Sequence, residues 1–174
     1  MTQADWNYPT QIHVGQGRRV ELADYCQSLK IQRPLIVTDR MLLGLPLVQE
    51  VLAALSAAGL APGVFSEVNG NPTGSEVGAG CQAYRAGGHD GVLAIGGGSA
   101  MDVGKTIAVM AHQRCALFDL EDIGDQWQRA DASVIQPIIA VPTTAGTGSE
   151  VGRAALIVET ETTRKVIIFH PQML

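Results

Sequence analysis

The feature that most restricts the fold of this chain is an alternation of short apolar runs with longer segments of helical periodicity. Residues 34–38 (PLIVT), 62–66 (PGVFS), 91–95 (GVLAI) and 137–141 (PIIAV) are rich in aliphatic side chains and bounded by Pro or Gly. Such runs are typical of strands that are buried on both faces of a sheet. The alternation therefore predicts an α/β fold, with a parallel sheet flanked by helices.

The segments between these runs place apolar side chains three or four positions apart, which is the spacing of one helix face. On this basis we expect helices over residues 45–58, 74–86 and 99–112. The other expected elements are a first strand near residues 10–14, a helix over residues 18–29, and a hairpin of residues 153–159 with residues 165–169. No repeat or linker interrupts the pattern, so residues 1–174 are expected to form one domain.

Charge and hydropathy exclude several classes of function. The formal net charge is −5 and the Lys and Arg residues are scattered, so a nucleic-acid partner is not expected. No apolar run approaches the ~18 residues of a membrane span, and the first nine residues lack a signal pattern, which predicts a cytoplasmic protein without a membrane partner. Cys26, Cys81 and Cys115 are widely spaced and odd in number, so buried thiols are expected rather than disulfides or a zinc site.

Three consecutive glycines follow the third predicted strand and precede a helix, in the segment LAIGGGSAMDVGK. Because Gly97 and Gly98 lack a Cβ, the backbone can approach an anion, and a helix that begins near Ser99 points its free N–H groups at it. This arrangement is typical of diphosphate binding. A kinase or NTPase is not favoured, because Met101 interrupts GxGxxG and Ser99 interrupts the P-loop pattern. The alternative is that Ser99 and Asp102 form a capping box and the glycines only form a tight turn.

A second glycine cluster, AVPTTAGTGSEVG, follows the fourth predicted strand and is rich in hydroxyl groups, at Thr143, Thr144, Thr147 and Ser149. These side chains both donate and accept hydrogen bonds, and the glycines allow the loop to fold closely around a polar ligand. The alternative is an ordinary loop with local Ser and Thr turns.

Asp39 follows the first predicted strand, where a carboxylate could accept hydrogen bonds from an adenosine ribose. In the usual dinucleotide fingerprint the acidic residue comes about 20 residues after the glycines, whereas Asp39 precedes them. The alternative roles are a helix N-cap or a plain surface acid. Ligands of open α/β sheets bind beyond the carboxyl ends of the strands, so three such strand ends together favour a dinucleotide site.

The motifs resemble those of the iron-containing, group III alcohol dehydrogenases. GGGSAMDVGK is similar to the family's GGGSxxDxxK, PTTAGTGSEV to its PTTAGTGSE loop, and NGNPT to its NP turn. The resemblance extends in order from Gly15 to Lys165. It implies that residues 1–174 are a Rossmann-like dinucleotide-binding domain and that the family's C-terminal helical domain is absent. The ending HPQML is accordingly expected to be a truncation.

The resemblance also implies a set of NAD-binding residues. Asp39 would hold the adenosine ribose, Asn71 would lie beside the cofactor, and Asp102 would sit at the site. The diphosphate would be held by Gly97, Gly98 and Ser99. The adenine and nicotinamide side would be lined by Thr143, Thr144, Thr147, Ser149, Val151 and Lys165.

The implied parent reaction is reversible hydride transfer between NAD and a small alcohol, assisted by divalent iron in a homo-oligomer. The family's metal ligands, one Asp and three His, would all lie beyond residue 174, so iron is expected only in a longer parent protein and this chain alone is expected to be inactive. His13, His89, His112 and His170 match none of those ligands, and His170 is interpreted as a loop histidine. The competing hypothesis is a self-contained, non-catalytic nucleotide-binding or regulatory module.

Overall fold

The computed structural model of the chain describes residues 10–174. The strands in that range are β1 (Pro34–Val37), β2 (Gly63–Phe65), β3 (Gly91–Gly96), β4 (Ile138–Pro142), β5 (Ala154–Glu159) and β6 (Arg164–Phe169). The α-helices are α1 (Leu22–Ser28), α2 (Arg40–Leu43), α3 (Pro46–Ala57), α4 (Gly74–Ala86) and α5 (Gly98–Met110). Short 3-10 helices lie at Arg18–Glu21, Leu117–Leu120, Gln126–Arg129 and Ala132–Val134.

Strands β1 to β4 form one parallel sheet in the order β2-β1-β3-β4. Every residue of β1 and β3 is buried, as expected for central strands that are covered on both faces. The predicted α/β fold with a parallel sheet flanked by helices is therefore confirmed.

The alternating side chains of β1 divide the core into two clusters. Leu35 and Val37 pack into a cluster with α4, α5 and the β5–β6 hairpin, whereas Ile36 packs into a cluster with α1 and α3. Helix α5 lies very close to β3, because a Cβ added at Gly104 would be only 2.6 Å from the Cβ of Ala94. The helix that begins at the glycine turn is thus fixed firmly on the sheet.

Two terminal predictions have different outcomes. The predicted strand near residues 10–14 is wrong, since this segment is irregular and leaves Ile12 and Val14 exposed. It lies across a cavity of about 790 Å³ from β4, so no strand is close enough to supply the ladder hydrogen bonds that a strand needs. The predicted hairpin is confirmed, because β5 and β6 pair antiparallel along their whole length.

The remaining elements agree with expectation. The predicted helix over residues 18–29 begins as a 3-10 turn and continues as α1. Cys26 and Cys81 are buried, Cys115 is half-buried, and all three thiols are free. Burial raises the pKa of both Cys26 and Cys81 to about 11. None of the helices in the described range has the length and apolar composition needed to cross a bilayer. The first nine residues, where no signal pattern is predicted, lie outside the described range.

The strand order marks one position on the sheet for a ligand. From β1 the chain passes to β2 on one side and then returns to β3 on the other, so the topological switch lies between β1 and β3. In open α/β sheets the crevice beyond the carboxyl ends at this switch is the usual ligand site. Asp39 follows β1 and Gly97 follows β3.

Candidate functional site

The glycine turn joins the end of β3 to the start of α5. Gly96 has a φ of 155°, and a Cβ there would lie 2.7 Å from the Cβ of Ala100, so this position requires glycine. Gly97 is the N-cap of α5, and no side chain caps the helix. The N–H groups of the first turn have no acceptor within the helix and are available, with the positive end of the helix dipole, to an anion.

Asp102 does not cap this helix. Its Oδ1 accepts a hydrogen bond from the Ser149 hydroxyl and its Oδ2 accepts one from the Leu156 N–H at 3.0 Å. The capping-box interpretation of Ser99 and Asp102 is therefore wrong, because the carboxylate is directed to the segment after β4 instead of to the start of its own helix.

A cleft of about 450 Å³ lies beside the start of α5. The predicted site residues that line it are Asn71, Gly98, Ser99, Asp102, Thr147, Ser149 and Lys165. The rest of its lining consists of Pro72, Gly148, Gly152, Ala154, Ala155, Leu156, Val158 and Ile167. One side of the cleft is thus polar and rich in glycine, and the outward face of the β5–β6 hairpin makes the other side largely apolar.

Residues 142–153, which we call the threonine-rich loop, form the side of the cleft opposite the start of α5. Gly146 and Gly148 have φ angles of 95° and 71°, which glycine adopts at little cost. Thr147 Oγ1 accepts a hydrogen bond from the Ser149 N–H at 3.2 Å, which is the local turn that the alternative interpretation of this loop expects. The local turn and an exposed position at the cleft occur together.

The glycine turn and the threonine-rich loop face each other at short range. A Cβ added at Gly98 would lie 3.4 Å from the side chain of Thr147, and one at Gly97 would lie 3.4 Å from Thr144 Oγ1. A methyl group would fit at either position with ordinary contacts, yet it would occupy the space between the two segments.

The turn at Asn71 closes another side of the cleft. Asn71 has a φ of 56°, and the next residue, Pro72, accepts a hydrogen bond from the Val158 N–H at 2.7 Å, which joins the turn to the hairpin. Thr73 then begins α4 in a capping box with Glu76. Partial burial raises the pKa of Glu76, but its hydrogen bonds from Thr73 and from Asn69 outweigh this and hold the pKa below its usual value.

Lys105 lies behind the cleft, and the sequence motifs did not single it out as a site residue. Its side chain is fully buried, and its ammonium donates hydrogen bonds to the backbone carbonyls of Ser149 at 2.8 Å, Gly152 at 3.0 Å and Ala154 at 2.5 Å. Burial lowers the pKa of Lys105, and the Asp102 carboxylate, 3.4 Å away, opposes that shift. A lysine inside an otherwise apolar helix was the available signal, because lysine is rarely buried without partners.

Some predicted residues lie outside the lining of this cleft. Asp39 caps α2, with Oδ1 accepting hydrogen bonds from the N–H groups of Met41 and Leu42, both at 2.9 Å. This is the N-cap geometry that the alternative role expects, and a role at the ribose stays a prediction. Val151 lines the larger cavity beside β4. The others outside the lining are Gly97, Thr143 and Thr144, which belong to the two facing segments.

The described residues do not form a metal centre. Within residues 10–174, no group of three or more His, Cys, Asp or Glu side chains is placed to hold a metal ion. His170 is buried after β6, where its Nδ1 accepts a hydrogen bond from the Gln172 N–H at 3.1 Å and its ring meets Trp127 edge-on. Burial lowers the pKa of His170. These donors therefore do not fit an iron ion.

Comparison with known proteins decides the family. Residues 9–174 match the family model described as iron-containing alcohol dehydrogenase. The chain belongs to the iron-containing alcohol dehydrogenase family. The three motifs that indicated this family from the sequence are thereby confirmed as family features, and the family is one of enzymes.

Individual members of the family are similar over nearly the whole chain. The 4-hydroxybutyrate dehydrogenase of Cupriavidus necator is 40% identical over 152 residues, which are 87% of this chain and 39% of that protein. The lactaldehyde reductase of Escherichia coli (strain K12) is 34% identical over 157 residues, 90% of this chain and 40% of that protein.

A solved structure agrees with the fold. The crystal structure of sulfoacetaldehyde reductase from Bifidobacterium kashiwanohense, in complex with NAD+, is 30% identical and superposes with a TM-score of 0.89 over 100% of this chain and 45% of that chain. The present chain spans about two fifths of the length of these family members.

Proposed function

We propose that residues 1–174 form a dinucleotide-binding domain that holds NAD in the cleft beside α5. The observation that supports this best is the uncapped start of α5, which faces the threonine-rich loop across a cleft of about 450 Å³. Free N–H groups and the helix dipole favour a diphosphate at that point. The NAD+ complex of the sulfoacetaldehyde reductase, a relative with the same fold, supports the same ligand.

The chemistry around the cleft fits the separate parts of the cofactor. The diphosphate would lie at Gly97, Gly98 and Ser99, where no Cβ or capping side chain fills the space. The hydroxyl groups of Thr143, Thr144, Thr147 and Ser149 would bind polar edges of the cofactor, and Asn71 and Lys165 would flank it. Asp39, at the switch point, would accept hydrogen bonds from the ribose. The apolar hairpin face would suit an aromatic ring.

The chain's own part in the reaction would be to bind and orient the cofactor. NAD supplies a hydride acceptor when it is bound, and the protein fixes its position relative to the substrate. We propose that the whole protein transfers hydride between NAD and a small alcohol. The chain alone is expected to bind NAD without oxidising alcohols, since the described residues offer no metal ligand set. Family membership does not favour a self-contained regulatory module.

The test is Gly98→Ala, with Gly78→Ala as a matched control. An alanine methyl at Gly98 makes only ordinary contact with Thr147, so the variant should fold, yet it occupies the space proposed for the diphosphate. Loss of one charge-assisted hydrogen bond costs about 1.5–3 kcal/mol, so NAD affinity measured by calorimetry should fall roughly tenfold or more. Gly78 is exposed on α4 with no atom within 4 Å, and its substitution should leave affinity unchanged.

Two outcomes would contradict the proposal. If folded Gly98→Ala bound NAD as tightly as the unmodified chain, the diphosphate would not lie at the glycine turn. Sustained alcohol oxidation by homogeneous chain would show that catalysis does not need residues outside this sequence.

A further inference from the structure

We propose that Lys105 is a positioning residue for the cleft, and that its ammonium holds the inner end of the threonine-rich loop at the separation from α5 that the dinucleotide requires. The inference rests on the proposed function, because it assigns a role to a residue that would act on NAD only through other groups. Lys105 itself does not line the cleft.

The contacts of the ammonium all lead to the lining of the cleft. Its acceptors are the carbonyls of Ser149, Gly152 and Ala154, and each of these residues lines the cleft. An ammonium has three N–H donors, so three carbonyls use its full capacity. The positive charge is therefore not directed at the ligand, and its effect on the cleft is the placement of these backbone segments.

Asp102 adds to the same attachment from one turn earlier on α5. Its carboxylate accepts hydrogen bonds from the Ser149 hydroxyl and the Leu156 N–H. Donors and acceptors of α5 thus alternate with acceptors and donors along residues 149–156. A shift of the loop by one residue would break this matching, so the contacts fix one register.

Burial makes that register selective. The Lys105 side chain is fully shielded from water, and a buried ammonium without acceptors is strongly disfavoured. The threonine-rich loop has no regular secondary structure and contains two glycines with positive φ, so its backbone could adopt several paths. Only a path that brings all three carbonyls to Nζ satisfies the charge. The loop therefore has one favoured position before a ligand arrives.

The experiment compares Lys105→Met with Ile107→Ala. Methionine keeps the length of the side chain and removes the charge and all three donors. Ile107 lies on the same helix, but it packs toward Gly80 of α4 and contacts no loop carbonyl, so its truncation is a control for loss of stability alone. NAD affinity of the folded fraction is measured by calorimetry, and amide hydrogen exchange is followed along the chain.

We expect Lys105→Met to weaken NAD binding at least tenfold and to accelerate exchange in residues 143–156, with β1 and β3 remaining protected. Ile107→Ala should change affinity by less than about twofold. Equal affinities of the two variants at equal stability, with exchange accelerated uniformly, would overturn the inference and leave Lys105 as a purely structural residue.

Two further arms keep the test decisive. If Lys105→Met fails to fold, Lys105→Arg keeps the charge beside Asp102 but cannot aim a planar guanidinium at three diverging carbonyls. Weaker NAD binding by Lys105→Arg than by Ile107→Ala supports positioning, and equal binding overturns it. If the unmodified chain binds no NAD, the proposed function fails, but hydrogen exchange still decides whether Lys105 holds the loop.

Discussion

At the scale of single residues, several side chains near the cleft are already engaged before any ligand binds. Asp39 caps α2, Thr147 shapes its own turn, and Asp102 joins α5 to the loop and the hairpin. A substitution at such a position changes the fold and the ligand contacts together. Useful variants are therefore those that keep one of these roles and remove the other.

Asp39→Asn separates the cap from the charge. The amide oxygen can still accept from the N–H groups of Met41 and Leu42, so the helix cap is kept while the charge is lost. A 2′-phosphate carries nearly two charges, and each like-charge contact near 4 Å costs about 1 kcal/mol in water and about 4 kcal/mol at an effective dielectric of 20. The preference for NAD over NADP should fall by roughly tenfold to a few hundredfold in Asp39→Asn.

Titration of both cofactors against both proteins measures that ratio. Asp39→Ala serves as a comparison, because it loses the cap as well and should unfold at lower temperature. An unchanged ratio in Asp39→Asn would leave Asp39 with its capping role only.

His170 should make stability depend on pH in a defined direction. Its folded pKa is lowered by burial, so the unfolded chain takes up a proton at a higher pH than the folded chain does. The contribution is present above the unfolded value of about 6.5 and is lost as pH falls through the folded value. His170→Gln keeps an acceptor for the Gln172 N–H but does not titrate, so its urea midpoint should fall less between pH 7 and pH 5. Identical slopes for the two proteins would contradict this.

At the scale of elements, the sequence predicted what depends on local signals. The run at residues 34–38 became β1 because uninterrupted apolar composition and a preceding Arg-Pro boundary are visible in the sequence itself. The expected strand near residues 10–14 failed because a strand needs a partner, and periodicity does not reveal whether one is present. The contacts of Lys105 join residues 44 to 49 positions apart, which no local pattern could indicate.

The start of α4 offers a prediction at this scale. Glu76→Gln replaces one carboxylate oxygen with an NH₂ group, which cannot accept from Thr73, so the capping box that ends the Asn71 turn is weakened. Loss of such a cap costs about 0.5–2 kcal/mol of stability, which thermal unfolding can measure. Thr73→Ser keeps the hydroxyl and the box and should be close to the unmodified chain. Equal losses in both variants would mean that the box does not hold this turn.

At the scale of the whole molecule, the sheet has an open edge. Strands β2 and β4 are its outer members, and the outer side of β4 faces a cavity of about 790 Å³. The parallel register, with the Val92 N–H bonded to Pro137 and the Thr143 N–H bonded to Gly96, directs the Ala140 N–H away from β3. Unpaired backbone groups of this kind readily pair with another chain.

We therefore expect the chain to self-associate with a second copy through β4, which extends the homo-oligomer predicted from the family resemblance. Ala140→Pro removes an outward N–H without removing a donor to β3, and proline is tolerated on edge strands in that position. Sedimentation of the unmodified chain should depend on concentration, and that of Ala140→Pro should not. A strictly monomeric unmodified chain at high concentration would contradict the prediction.

The loops around the cleft that follow sheet strands leave the carboxyl ends of β1, β3 and β4, and the opposite edge of the sheet is built from different turns. Gly59 and Gly88 lie there in exposed turns with φ angles of 82° and 59°, and neither lines the cleft. Exposed turn tips of this kind tolerate attachment. A fluorophore or a surface linker placed at Gly59 would leave the cleft facing the bulk solution, so the domain could be immobilised in one orientation and used as a sensor for dinucleotides.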